Sequence, residues 1–403
     1  MKGLTIALLN ICSLRNKIQE VNEIVLSNNI NVLALCETHL DSSFEDEVVK
    51  IDNYTIFRRD RNEYGGGVAI YVQNQIPAKE CKDTLVSGIE ALCVQIQLPY
   101  SRPLLIACCY RPPSSDLNYL EGMCNMIDKL SDKNNELYFL GDLNIDFFSL
   151  NCHLRKKLLS VTNACNLTQM INLPTRVFTN KAGGKSSTCI DHIFTNVPEF
   201  CSKSKSLTIG CSDHNLVAIT RQIDIPKAGN KIICRRSFKR FNQDLFVEDV
   251  GKEQWSEVCL EDDPEMALNM FMSKLNRLAD KHAPMRKRSV KHNSAPWFND
   301  ELKALMVQRD DAKKALNQSG CIQDRQLYCK LRNMVVKLNK NTKRQYYQQK
   351  MSNAKNDSKK IWKTLNEIMG RKSTSGSNYV ECEGSYITKP LDIANYFNNF
   401  FYK

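Results

Sequence analysis

No stretch of this 403-residue sequence approaches the roughly 18 consecutive apolar residues of a membrane-spanning helix. The opening Met1-Lys2-Gly3-Leu4 runs directly into a short strand-like stretch, with no long apolar core and cleavage site, so no secretory leader is expected. No pair among the 17 cysteines has Cys-x-x-Cys spacing, and His39, His153, His192, His282 and His292 show no metal-ligand spacing, which argues against structural zinc. The cysteine count is odd and the chain long, so a secreted disulfide scaffold is equally disfavoured. Cys36, Cys93, Cys108 and Cys109 lie in apolar runs, where a thiol acts as a small buried hydrophobe. Gly65-Gly66-Gly67 stands before a strand, not a helix, and reads as a hairpin turn instead of a phosphate loop. Internal repeats are absent. An intracellular, non-secreted protein without a membrane partner is expected; the sequence leaves its oligomeric state open.

What is present is the composition of a globular protein, 42% hydrophobic and 25% charged. The length suits two units, at roughly 100 to 200 residues each. Net charge is +12, and its placement is uneven. Residues 1–230 hold 23 Lys/Arg against 24 Asp/Glu, whereas residues 231–403 hold 33 against 20. Within that second part, residues 281–372 carry 23 basic and 7 acidic side chains on stretches that read as helical. Such a surface suits a polyanion, and a merely solvated helix face is the ordinary alternative.

Short apolar runs at 4–9, 32–35, 68–72, 91–98, 104–109, 137–140, 190–194 and 216–220 read as strands, and 14–27 and 119–130 have helical spacing. Their sum is an α/β protein of stacked sheets flanked by helices. Pro226, Gly229 and Asn230 mark a boundary, after which the strand signal fades and helices are expected at 245–281, 299–318, 322–351 and 359–369. The polar stretch 371–378 has the composition of a flexible linker. The resulting division is a first domain at 1–222, a linker at 223–240, a basic helical region at 241–370, and a linker with a further segment at 371–403.

Asn10, Glu37, Tyr110, Asp142, Asn144, Asp191, Asp213 and His214 each fall at the end or edge of an apolar strand. Polar side chains at strand ends of an α/β fold converge on one rim, where such folds bind ligands. Hydrolysing a phosphodiester needs oxygen ligands for a hard cation, a base for water and donors to the phosphoryl group. Glu37 and Asp213 offer hard carboxylates, and Mg2+ is the expected ion because it prefers one or two carboxylates, an amide oxygen and retained waters; Mn2+ is the alternative. Asp142 and Asn144 are two apart, so both can face one side, one taking a proton while the other holds a phosphate oxygen or water. His214 could donate to the phosphoryl oxygens once an acid such as Asp191 fixes its orientation. Each residue also has an ordinary reading: a turn at Asn10, an arginine partner for Glu37, packing of Tyr110 on Pro112-Pro113, turn chemistry at Asp142 and Asn144. Agreement of the set on one chemistry favours the functional reading.

Leu9-Asn10, Cys36-Glu37-Thr38, Tyr110-Arg111-Pro112-Pro113, Gly141-Asp142-Leu143-Asn144, Ile190-Asp191-His192-Ile193-Phe194 and Ser212-Asp213-His214 occur in the order and approximate spacing of the endonuclease/exonuclease/phosphatase superfamily, which the sequence resembles. The Tyr-Arg-Pro-Pro and Pro174-Thr175-Arg176 forms, and the opening Leu-Asn-Ile-Cys-Ser-Leu-Arg-Asn-Lys, resemble the nuclease of LINE-type non-LTR retrotransposons. Ala283-Pro284, Pro296-Trp297-Phe298-Asn299 and the basic helices with Ile361-Trp362 resemble the region between nuclease and reverse transcriptase in such elements, and residues 387–401 resemble the lead-in to the polymerase. No Tyr/Phe-x-Asp-Asp polymerase motif follows, so a product truncated before the polymerase is expected. The resemblance implies a four-layer α/β/β/α sandwich of the DNase I-like kind, followed by a basic all-α extension. It implies that Glu37, Asn10 and Asp213 hold the metal, Asp142 activates water, Asn144 positions the phosphate, Tyr110 contacts it, and Asp191 orients His214. Arg111, Arg176 and Thr188 are implied as substrate-binding. The expected activity is a Mg2+-dependent nick of target DNA that leaves a 3′-hydroxyl, in the nucleus, with element RNA as a further partner of the basic helices. The rival readings are an abasic-site endonuclease of the same fold and an inactive remnant that only binds nucleic acid.

Overall fold

The computed structural model describes the whole chain except residues 1–2, 99–100, 134, 180–183, 226–230, 291–294, 356, 370–379, 383–384, 388–389 and 402–403. The expected linker at 371–378 and most of the boundary around Pro226, Gly229 and Asn230 therefore lie outside the described residues.

The first part of the chain contributes β1 (Leu4–Asn10), α1 (Ile18–Ser27), β2 (Val32–Cys36), β3 (Tyr54–Arg59), β4 (Val68–Gln73), β5 (Ala78–Glu80), β6 (Ala91–Ile96), β7 (Leu104–Tyr110), α2 (Leu117–Ser131), β8 (Glu136–Asp142), α3 (His153–Ala164), β9 (Thr168–Gln169), β10 (Arg176–Thr179), β11 (Lys185–Thr188), β12 (Asp191–Thr195), β13 (Lys205–Leu207) and β14 (Leu216–Arg221). Two six-stranded sheets form, ordered β13-β14-β1-β2-β4-β3 and β5-β6-β7-β8-β12-β9. Each is mixed: β1 runs parallel to β2 and β7 parallel to β8, while the other pairings are antiparallel.

The period-2 alternation of a strand explains the layering. In β1, Ile6 and Leu8 join Ile70, Ile106 and Leu140 in the core between the sheets. Their neighbours Ala7 and Leu9 face the other way, onto Val21 and Val25 of α1. In β7, Leu105 and Ala107 likewise turn outward to Leu120 and Ile127 of α2. Strands buried on both faces must read as continuous apolar runs, which is why these eight were legible in the sequence. The architecture is the expected DNase I-like α/β/β/α sandwich. Strands β3, β5, β9, β10, β11 and β13 sit at sheet edges or in a hairpin, and their short half-polar sequences carry no comparable signal.

Residues Lys227–Ser294 form a separate compact unit. It holds β15 (Lys231–Arg236), α4 (Gln243–Lys252), α5 (Ser256–Cys259), α6 (Pro264–His282) and β16 (Met285–Val290), with β15 paired antiparallel to β16. The expected continuous helix over 245–281 is thus three helices. Pro264 cannot continue a helix from the N-terminal side but suits a first turn, and Asp263 caps that turn by accepting from Glu265 N at 3.0 Å. The β15–β16 ribbon, on which Arg286, Lys287 and Arg288 lie, was not visible because both strands are basic and lack apolar alternation.

Residues Ala295–Lys403 belong to the same compact unit as Met1–Pro226. Here α7 (Asp300–Ser319) and α8 (Ile322–Asn353) form a helical hairpin around Leu302, Met306 and Val335. Asn299 caps the start of α7 by accepting from Leu302 N, and Gly320 ends it at φ +69°, the left-handed conformation that glycine adopts at least cost. After them come α9 (Ser358–Ile368), the ribbon of β17 (Val380–Cys382) and β18 (Ser385–Ile387), and α10 (Pro390–Phe401).

Candidate active site

Strand register assembles the site. In the second sheet Tyr110 of β7 pairs with Asp142 of β8, which pairs in turn with Asp191 of β12, so three polar strand-end residues stand in one row. In the first sheet Asn10 pairs with Cys36 at the ends of β1 and β2, and Glu37 follows. The loop before β14 brings Asp213 and His214 beside the end of β1, because β14 runs antiparallel to it. Gly141 is required immediately before Asp142: a Cβ there would lie 1.9 Å from the Cys109 carbonyl oxygen.

Within this rim, Asn10 links two carboxylates. Its amide Nδ2 donates to Glu37 Oε1 at 2.9 Å and to Asp142 Oδ2 at 2.7 Å. His214 Nε2 stands 3.9 Å from the same Asp142 oxygen, and His214 Nδ1 bonds Asp191 Oδ2 at 2.9 Å. Asp142, Asp191 and His214 are all buried. Burial pushes Asp142 up to about 7, helped by the negative charge of Asp191 and opposed by His214. The same burial disfavours a charged His214, but Asp191, then Asp142 and Asp213, outweigh it and raise the ring to about 9. A carboxylate with raised proton affinity therefore faces a protonated imidazole across a gap slightly longer than a hydrogen bond.

Asp213 is half-exposed and differently held. Arg176 donates to its Oδ2 from Nε at 2.9 Å and from Nη2 at 2.7 Å, and the Cys12 thiol donates to its Oδ1 at 3.0 Å. Burial works against its charge, yet His214, Cys12 and Arg176 hold it down at about 2. Among the described residues, two groups of side chains are close enough to hold a cation: Asp142, Asp191 and His214, and Cys12, Asp213 and His214. Glu37 is in neither, but one amide separates it from Asp142. The carboxylate oxygens suit a hard divalent ion, and Cys12 adds one soft donor beside Asp213.

Left-handed backbone recurs at the site, at Cys12, Glu37, His39 and Asn144. Glu37 has φ +53° and Asn144 φ +49°. Left-handed geometry costs a non-glycine residue roughly 1–2 kcal/mol, less for asparagine, so it persists only where surroundings dictate it. Around Glu37 they do: its carbonyl accepts from Ser13 N at 2.8 Å, and the next two amides bond Gly67 O and Gly66 O at 3.1 and 2.9 Å. The glycine triplet thus serves as the brace of the Glu37 turn. Asn144 donates from Nδ2 to Arg111 O at 2.9 Å, and its backbone N donates to Asp142 Oδ1 at 3.1 Å.

The remaining expected residues are placed less uniformly. Tyr110 is buried beside Glu37, and burial followed by that carboxylate raises its hydroxyl well above the ordinary range. Arg61 lies over the Tyr110 ring at 5.8 Å while pairing with Glu90 at 3.0 Å, and Arg59 bonds the Ile89 and Ala91 carbonyls. Arg111, only 2% exposed, donates to the carbonyls of Leu143 and Ser115 at 3.2 and 3.0 Å, so the structure places it inside the fold. Arg176 is on the rim with Asp213, and Thr188 lies opposite it across the β10–β11 hairpin.

Several contributors escaped the sequence pattern. Thr175 Oγ1 accepts from both Ile190 N and Asp191 N at 3.1 Å, fixing the start of β12. Ser212 Oγ donates to Asn10 O at 2.5 Å and accepts from His214 N at 3.1 Å. Cys12 touches Asp213, and His39 Nε2 lies 3.4 Å from Glu37 Oε2. Thr175, Ser212 and Cys12 stand inside the quoted motifs, but their bracing contacts are three-dimensional and the motifs alone gave them no role.

Linked carboxylates and a carboxylate-bound histidine thus stand on one rim of a two-sheet sandwich. The model described as the Endonuclease/Exonuclease/phosphatase family matches residues 7–214, just over half of the chain, and the protein belongs to that family. Solved structures similar to it include the endonuclease domain of TRAS1, a telomere-specific non-LTR retrotransposon (14% identity, covering 55% of this chain and 99% of that one, TM-score 0.45). Others are a 3′-5′ exonuclease from Neisseria meningitidis (15%, 54% and 99%, TM-score 0.44) and an AP endonuclease from Archaeoglobus fulgidus (13%, 55% and 100%, TM-score 0.44). No curated protein matches the chain. Among the described residues no helix is long and apolar enough to cross a membrane.

Proposed function

We propose that this protein is a Mg2+-dependent endonuclease that nicks DNA, leaving a 3′-hydroxyl, as the nuclease part of a LINE-type retrotransposon product acting in the nucleus. The observation that carries the reading is the continuous chain from Glu37 through Asn10 to Asp142, with His214 facing Asp142 and backed by Asp191. Bound near Glu37 and Asp213, a divalent cation supplies Lewis acidity to a phosphoryl oxygen and acidifies water. Asp142, with its raised proton affinity, accepts the proton of the attacking water. His214 donates from Nε2 to the oxygens that gain charge, while Asp191 holds the ring by Nδ1. Asn10 holds Glu37 and Asp142 at a fixed separation, and Arg176 restrains Asp213. The LINE-type assignment rests on Tyr110-Arg111-Pro112-Pro113, Pro174-Thr175-Arg176 and the basic helices that follow. Along α8, exposed Lys330, Arg332, Lys337, Lys340, Lys343 and Arg344 offer a positive surface for DNA or element RNA.

The test is nicking of supercoiled plasmid by the full chain with Mg2+, with EDTA, and with Glu37→Ala or His214→Ala. Loss of the metal should abolish nicking, and loss of either side chain should lower kcat on the order of a hundredfold or more. Cleavage of an abasic oligonucleotide but not of plasmid would replace this reading with a repair-type activity. Unchanged rates in both variants would refute it.

A further inference from the structure

The loop between β13 and β14 carries Asp213 and His214; His214 bridges Arg176, but residues 208 to 213 before it pair with no strand. Side chains about a hundred residues later in the sequence supply hydrogen-bond partners instead. Lys313 Nζ donates to Ile209 O at 3.0 Å and also to Ser212 O. Asp310 Oδ1 accepts from Gly210 N at 2.9 Å, and Tyr328 donates its hydroxyl to Gly210 O at 3.0 Å. Four backbone groups are thus satisfied by three side chains of α7 and α8. The approach is close enough that a Cβ on Gly210 would meet Arg309 Nε at 2.3 Å.

The docking is specific. Arg309, 2% exposed, pairs with buried Glu20 of α1 and with Asp310 Oδ1 at 2.8 Å. Lys313 is 4% exposed, and a buried lysine whose donors go to carbonyls is a costly way to join two surfaces. Burial lowers it to about 8, but its ammonium and the amine it becomes both donate to carbonyls. From Ser212 the connection continues: its hydroxyl ties the loop to Asn10 and to the His214 amide. Arg309, Asp310, Lys313 and Tyr328 all lie beyond residue 214, where the family match ends.

We propose that Lys313, Asp310 and Tyr328 are positioning residues for the active site, so that the α7–α8 hairpin holds Asp213 and His214 in working geometry and is a part of the nuclease. This rests on the reading of that site given above. A misplacement of about an ångström at reacting groups costs up to two orders of magnitude in rate, whereas substrate affinity, set by the wider surface, changes little.

The experiment uses the full chain with Lys313→Met, which keeps the length of the side chain and removes its donors, and Tyr328→Phe, which removes one hydroxyl. Plasmid nicking gives kcat and KM, and hydrogen exchange gives the protection of the 208–215 peptide against that of β1 and β8. For Lys313→Met, kcat should fall about tenfold or more with KM within about twofold, and the loop should exchange about tenfold faster while β1 and β8 stay protected. Tyr328→Phe should show the same pattern more weakly, and it decides the matter if Lys313→Met does not fold. Wild-type kcat, or reduced kcat without faster exchange in the loop, overturns the proposal. If wild type itself does not nick, the nuclease reading fails, while the exchange measurement still shows whether the brace exists.

Discussion

His192 should make the fold sensitive to acid by a calculable amount. It follows Asp191 in β12 but faces the opposite side, fully buried against Phe147 and Phe194. Its Nε2 donates to Ile145 O at 2.9 Å and Gln169 Nε2 donates to its Nδ1, which is the bonding of a neutral ring. Burial lowers its pKa from 6.5 to about 4, only partly opposed by the Ile145 carbonyl, Asp191 and Asp146. Between those values the unfolded chain binds a proton that the native one does not, so stability falls as pH drops through 6.5 and levels off below 4. With a shift of that size the loss between pH 7.5 and 4.5 is on the order of 2–3 kcal/mol. Urea denaturation of wild type and of His192→Gln at both pH values measures it. The variant should be less stable at pH 7.5 but should lose less on acidification, by roughly 2–3 kcal/mol. Equal losses would mean that the folded protein already takes up the proton above pH 6, and that this histidine is not the neutral core group described.

Three other variants probe the frame of the site and the basic surface. Gly141→Ala should destabilise by about 2–3 kcal/mol or prevent folding, because backbone on β7 cannot yield to the new methyl; thermal melting checks it. Thr175→Val leaves the amides of Ile190 and Asp191 without their acceptor, so stability should fall by about 2 kcal/mol and kcat with it, read by denaturation and plasmid nicking. Replacing Lys337, Lys340, Lys343 and Arg344 together by Gln should reduce the slope of log affinity against log salt by up to about 3.6, while the nicking rate at saturating DNA stays unchanged; an unaltered slope would make that face merely solvated.

The sheet core was readable because strands buried on both faces must be apolar throughout, as in Leu33-Ala34-Leu35 and Leu105-Ile106-Ala107. The candidate residues stood out for the complementary reason, that Asn10, Asp142 and Asp191 interrupt such runs where apolar residues would otherwise continue. Hydrogen bonds to backbone leave no such trace. Nothing in the spelling of Thr175, Ser212 or Arg111 separates a residue that holds a strand end from one that meets solvent, and the left-handed turn at Glu37 is imposed by Gly66 and Gly67 rather than by glutamate itself.

The charge of the second half shows the same limit from another side. Counted along the sequence, Arg309 and Lys313 belong to one basic stretch with Lys337 through Lys350, and net charge treats them alike. In the structure the first two are interior groups with partners on the sandwich, Glu20 and the carbonyls of Ile209 and Ser212. Their positive charge is committed to folding and is not available to a phosphate. On α8 the exposed cations retain it. One basic helical region therefore divides by burial into a face packed on the loop before β14 and a face exposed to solvent, and substitutions on the two should separate: those at Asp310, Lys313 and Tyr328 should change turnover, those at the exposed cations of α8 the dependence of binding on salt.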